Sequence, residues 1–144
     1  MNNIVTALSQ HLADTYILYL KTQNFHWNVT GPHFHSLHEM FEEQYEALAE
    51  AIDVLAERIR ALGQVAPGSF AQFQKLSTLK EAAGVPSAND MVKQLLADHE
   101  QIIKSMQTSL NMFEQANDKS TEDIIIERIE WHQKTTWMLR STVG

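Results

Sequence analysis

Hydrophobic residues return every three or four positions along most of this chain, the spacing that gathers them on one face of an α-helix. Over residues 3–29 the stripe is Leu8, Leu12, Tyr16 and Tyr19, and Gly31-Pro32 then interrupts it. Residues 34–62 contain neither Gly nor Pro and are rich in Glu, Ala and Leu, the best helix formers. Gly63 stands where a helix end calls for glycine, just after Arg58 and Arg60, whose charges suit the negative end of the helix dipole. Residues 64–86 read as a long connection with a short helix of its own at 70–76. Ser87, with Asp90 three residues on, is a capping signal. It opens a third helix reaching to about residue 115 on Met91, Leu95, Ile102, Met106 and Leu110. Residues 117–119 form a turn, and Ser120 is expected to cap a fourth helix running to Arg140, with Glu122 and Asp123 in its first turn.

The expected fold is therefore all-α: a four-helix bundle with a long crossover between helices 2 and 3 that carries a short extra helix. This connectivity is ferritin-like, and by itself it says nothing about function. The 144 residues make one expected domain, 1–144. Only 5 glycines and 3 prolines occur, as long uninterrupted helices require.

Charge and composition remove several function classes. The formal net charge is −7 and no Lys or Arg precedes Lys21, so electrostatics oppose nucleic acid and anionic membranes. The start lacks the basic and apolar regions of a secretory signal, and no stretch approaches the ~20 apolar residues of a membrane span. A cytoplasmic protein is expected. There is no cysteine, which excludes disulfides and thiolate metal sites.

The candidate chemistry lies in the histidines. Four of the seven fall between His26 and His38, in NFHWNVTGPHFHSLHE, and farther along the second helix Asp53 and Glu57 are four residues apart, on one helix face. Two imidazoles and two carboxylates suit Fe(II) or Zn(II). His38 and Asp53 are 15 residues apart on one helix, roughly 22 Å along its axis at about 1.5 Å per residue. His26 ends the first helix across a short turn from His38, so one chain cannot close the site. A second chain, antiparallel about a two-fold axis, would bring its carboxylates to the first chain's histidines and form two equivalent sites. Each piece also has an ordinary explanation. A histidine at a helix end is commonly a polar surface group, and paired acids four apart are commonly a solvated face. The residues alone leave metal binding and a solvated surface both open. None of the seven histidines has a Glu three residues before it, which argues against a di-iron site inside one bundle.

The segment HWNVTGPHFHSLHEMFEEQYEALAEAIDVLAERIRALG resembles the signature region of the Dps (DNA protection during starvation) mini-ferritins, and the closing HQKTTWMLRS is similar to their last helix. The spacing from His26 to His38, Asp53 and Glu57, which is 12, 27 and 31 residues, matches the family's inter-subunit ferroxidase centre at all four positions. The resemblance implies two-fold dimers assembled into a dodecamer around a cavity. It implies that Fe(II) binds through His26 and His38 of one subunit and Asp53 and Glu57 of its partner. Hydrogen peroxide, in preference to dioxygen, would oxidise the iron, and Fe(III) would mineralise in the cavity; Zn is a possible occupant of the same site. Asp118, Asp123 and Glu127 fall where the family places its iron-entry pore. The dipole-favoured acidic first turn is the ordinary reading of Asp123.

Among the aromatic residues near the centre, Trp27 and Tyr45 are candidates to supply or quench stray electrons, with packing as their ordinary role. Trp131 and Trp137 are expected packing anchors, and His33 and His35 are expected surface or supporting residues. The family is named for DNA, yet this sequence shows no basic tail. Twelve chains at −7 each would carry −84 formally, which argues against direct DNA binding. The alternative class is a nucleoid-compacting structural protein. A bacterial cytoplasmic or nucleoid location is expected.

Overall fold

The computed structural model describes residues 2–143 and holds five helices, with no strand among the described residues. They are α1 (Asn2–Asn28), α2 (Phe34–Ala61), α3 (Phe70–Leu76), α4 (Ala88–Gln115) and α5 (Lys119–Val143). Met1 and Gly144, the ends of the expected single domain, lie outside the described residues. The four long helices, the crossover and its short helix all stand where the hydrophobic period puts them.

The helix ends show why. Gly63 has φ +89, its N–H reaches the Arg60 carbonyl at 2.9 Å, and the Gln64 N–H reaches Ile59 at 3.2 Å. This left-handed closure satisfies the last carbonyls of α2. Asn117, at φ 57, closes α4 in the same way, with the Asp118 N–H on the Phe113 carbonyl at 3.0 Å. Ser87 caps α4, its hydroxyl accepting from the Asp90 N–H at 3.2 Å.

The start of α5 corrects an expectation: Asp118, not Ser120, is the cap. Its carboxylate accepts from the Thr121 N–H at 3.1 Å and the Thr121 hydroxyl at 2.6 Å. Once Asn117 has turned left-handed, Asp118 is the residue aimed at the first free N–H groups. Glu122 falls in the first turn as expected, and the helix continues past Arg140 to Val143.

Two helix hairpins, α1 with α2 and α4 with α5, pack through α1 against α4, with a lighter seam between α2 and α5. Leu8, Leu12, Leu18 and Phe25 meet Phe41, Leu48, Leu55 and Ile59, then Met91, Leu95, Ile102, Met106 and Phe113 of α4. Each such side chain contributes roughly 1.5–3 kcal/mol by leaving water. Tyr16, Tyr19 and Leu110 lie half-buried at the margin of this core, while Ser109 takes the inward position beside Leu110. Helix α1 is covered by α2, α3 and α4, which is why polar residues on it are buried too.

Two of these polar groups tie down the crossover. Buried Asp14 accepts from the Ser77 hydroxyl at 2.7 Å, the Thr78 N–H at 2.6 Å and the Thr78 hydroxyl at 2.9 Å. Lys21 pairs with Asp98 of α4 at 2.9 Å and donates to the Lys80 carbonyl at 3.1 Å. Tyr16 stacks on Phe73 of α3 at 4.8 Å. The crossover is thus fixed to the bundle face, and the turn between α1 and α2 stands at one end of the hairpin.

Candidate metal centre

His26 lies in the last turn of α1 and His38 in the second turn of α2, so the short Gly31-Pro32 turn brings them face to face. Each imidazole Nδ1 lies 2.7 Å from the backbone carbonyl of the other residue. A carbonyl only accepts, so both Nδ1 atoms carry a proton and Nε2 is the nitrogen each ring has left to offer a metal. The rings stack at 3.9 Å with planes 12° apart. Such backbone anchoring is how proteins aim histidines at a metal.

Glu42, one turn beyond His38 on α2, completes the group. Its Oε1 is 3.7 Å from His26 Nε2, and ligand atoms of His26, His38 and Glu42 lie within 4.8 Å of one another. Glu42 was not among the candidates read from the sequence. The signal was the pattern His38-x-x-x-Glu42, an i, i+4 pair on a helix face already holding one candidate ligand. Two neutral imidazoles and one carboxylate leave positions open on a borderline divalent cation.

Asp53 and Glu57 are exposed on α2, four residues apart on one face. The helix runs unbroken from Phe34 to Ala61, so His38 and Asp53 stand roughly 22 Å apart along its axis. Within one chain the carboxylates do not join the histidines.

The neighbours differ in what they offer. Tyr45 sets its ring edge against His26 at 5.1 Å and against Tyr19 at 6.0 Å. Burial, then the charges of Glu42 and Glu46, pushes its phenol up, so it stays protonated. Trp27 is 60% exposed, so it packs into no core within the chain. Trp131 is half-buried under the Arg128 guanidinium at 4.8 Å. Trp137 departs from the expectation of a packing anchor: it is 59% exposed, because its position on α5 faces away from the other helices. His33 precedes α2 with no side-chain cap bond, and His35 is an exposed residue paired with Glu39 at 3.1 Å.

Of the three pore candidates, Asp123 and Glu127 are exposed one turn apart on α5. Asp118 is engaged as the helix cap and also pairs with Arg58 at 2.9 Å. Burial pushes its carboxyl up, but bonds from Thr121 and then the Arg58 guanidinium outweigh this and hold it below the usual range.

The ferritin-like domain family matches residues 5–144. The Dps structure from Staphylococcus aureus superposes with a TM-score of 0.97 at 36% identity, covering 100% of this chain and 97% of that one. The chain belongs to the Dps family of ferritin-like proteins. Among Dps relatives, DNA protection during starvation protein 2 of Bacillus anthracis is 33% identical over 138 residues, 96% of this chain and 94% of its own length. An uncharacterised low temperature-induced protein of Nostoc is 45% identical over 142 residues, 97% of this chain and 79% of its own. No helix is long and apolar enough to cross a membrane among the described residues.

Proposed function

We propose that this Dps chain is a ferroxidase and iron-storage subunit whose centre is shared between two chains of a two-fold pair. The supporting observation is the half-site: two histidines locked with Nε2 outward beside Glu42, while Asp53 and Glu57 stand exposed too far along the same helix to reach it. An isologous antiparallel contact supplies the missing half twice over. His26, His38 and Glu42 of one subunit then hold Fe(II) with Asp53 and Glu57 of the other.

Hydrogen peroxide is the preferred oxidant on this reading. One peroxide takes one electron from each of two Fe(II) ions and two protons from solvent, giving two Fe(III) and two waters. No hydroxyl radical is released when both electrons are delivered together. The Fe(III) mineralises in the cavity of a dodecamer, and Asp123 and Glu127 draw cations to its entry pores, with Asp118 anchoring the helix start there. Protection of DNA follows from removal of iron and peroxide, since a net charge of −7 per chain opposes phosphate binding. Zn(II) would compete for the same ligands.

Complementation between two dead variants tests the shared site. One carries His26→Ala with His38→Ala, the other Asp53→Ala with Glu57→Ala. Each alone should lose fast peroxide-driven Fe(III) formation, followed by absorbance. In a mixed pair one site carries all four substitutions and the other none, so co-assembled protein should regain about a quarter of the wild-type rate if the chains pair at random. Wild-type rates in either single assembly would remove the ferroxidase reading. Loss in both without recovery on mixing would remove the shared site.

A further inference from the structure

The bundle core is not apolar throughout. His11 of α1, His99 of α4 and His132 of α5 are 1%, 0% and 0% exposed, and none belongs to the metal centre. The Ser109 hydroxyl donates to the Met106 carbonyl at 2.7 Å, so it can only accept from His11 Nε2 at 2.9 Å. His11 therefore carries a proton on Nε2, and its Nδ1 is buried with no partner to accept a second one. His99 and His132 meet through their Nδ1 atoms at 2.8 Å. One of the two carries the proton and the other accepts it. Both Nε2 atoms are buried without partners, one as a bare lone pair and one as an N–H.

We propose that His11, His99 and His132 form an acid-sensitive latch in the bundle core, closed by neutral imidazoles and opened when they take up protons.

The geometry shows where each proton must land. A first proton on the pair goes to the bare Nε2 of the donating ring, where no acceptor awaits it. A second must land on the Nδ1 between the rings, setting two N–H groups against each other at a distance that held one hydrogen bond. A proton on His11 goes to its partnerless Nδ1. Each places a charge in the buried interior.

No nearby group is free to offset that charge. On α5, Arg128 is already a cation whose Nε and Nη2 are buried without an acceptor, and Glu127 beside it is exposed. On α1, Asp14 is taken up by Ser77 and Thr78 and Lys21 by Asp98 of α4. The remaining buried polar groups are the hydroxyls of Thr15, Thr22, Ser109, Thr121, Thr135 and Thr136, the neutral amide of Gln44 on α2, His26 of the metal centre, and Glu122 of α5, which is paired with Lys119.

Burial accordingly holds His11 down to about 4. Burial and then the Arg128 charge hold His99 down to about 3. His132 is held well below 6.5 by burial, then by His99, Arg128 and His11. Imidazoles of the unfolded chain accept protons near pH 6.5. The three groups therefore leave stability intact above that pH and remove it as the pH falls towards 4 and below. The His11–Ser109 bond joins α1 to α4 across the two hairpins and the His99–His132 pair joins α4 to α5 within one, so opening the latch loosens both the seam between the hairpins and the α4–α5 hairpin itself. The inference is independent of iron and does not rest on the function proposed above.

The test uses the iron-free assembled protein, titrated from pH 7.5 to 3.5 with near-ultraviolet circular dichroism, light scattering and potentiometric counting of protons. Wild type should lose its near-ultraviolet signal cooperatively between about pH 6 and 4, taking up in that step about three protons per subunit beyond those of its carboxylates and its other four histidines. His11→Gln, whose amide can still donate to Ser109, should lower the midpoint by several tenths of a unit and the uptake by about one proton. His99→Leu should do the same. A native signal persisting at pH 3.5, or variants with wild-type midpoint and uptake, would overturn the latch. If His99→Leu does not fold, wild type and His11→Gln decide the matter alone: equal proton counts reject it.

Discussion

Replacing Asp14 should detach the crossover from the bundle, and the structure sets the size of the effect. Asp14 is fully buried on α1, and its two oxygens accept three hydrogen bonds, from the Ser77 hydroxyl, the Thr78 N–H and the Thr78 hydroxyl. Hydrogen bonds to a charged acceptor contribute about 1.5–3 kcal/mol each, but they share one carboxylate and do not add. In Asp14→Ala the two hydroxyls can rotate towards water, whereas the Thr78 N–H is left without an acceptor. The expected loss is about 3–5 kcal/mol, a large part of the roughly 5–15 kcal/mol that holds a domain together. Asp14→Asn keeps Oδ1 for Ser77 and the Thr78 N–H, and its Nδ2 can donate to the Thr78 hydroxyl, but the acceptor is no longer charged, so about 1–2 kcal/mol is expected. Urea unfolding of the iron-free protein at one fixed concentration measures both, because assembly makes apparent stability depend on concentration. Amide exchange should also accelerate at residues 77–82 before the helices of the core. An Asp14→Ala variant within about 0.5 kcal/mol of wild type would show that the carboxylate merely fills space and that Lys21 and the Tyr16–Phe73 stack hold the crossover unaided.

Two further outcomes follow from the helix ends and the half-site. Asp118→Ala should cost about 1–2 kcal/mol near neutral pH through loss of the α5 cap. Because the folded carboxyl is held below its ordinary value, its contribution is present above the unfolded value and lost as the pH falls through the folded one. The gap in urea midpoint between variant and wild type should therefore stand undiminished from neutral pH down to the onset of the acid transition, and equal midpoints there would contradict the cap. Glu42→Gln should weaken Zn(II) binding to the iron-free protein, measured by calorimetry, by at least the ~10-fold that losing an outer partner costs. Glu39→Gln, which alters only an exposed pair with His35, should leave it unchanged; equal affinities in all three proteins would take Glu42 out of the centre.

What could be read from the sequence was what depends on neighbours along the chain. Gly63 and Ser87 mark helix ends through bonds spanning three to five residues, so their side chains or missing side chains declare them in advance. The α5 cap was misplaced because Asp118 and Ser120 are both good capping residues. The choice between them rests on the left-handed Asn117, a backbone state that residue type permits without dictating. The same division runs through the chemistry. His26 and His38 stood out by clustering, and the impossibility of reaching Asp53 within one chain needed only the rise of a helix. Glu42 was hidden among the many acids of α2, since only the position of His26, returned across the turn, sets one of them beside both imidazoles. His11, His99 and His132 gave no signal, being 88 and 33 residues apart; they meet because three helices pack, and their lack of partners exists only in that packing. Trp137 is the converse case. Its apolar ring shows that it needs cover but not from where, and the isolated chain supplies little. On the function proposed here, that cover and the missing half of the metal centre are both to be sought in a second subunit.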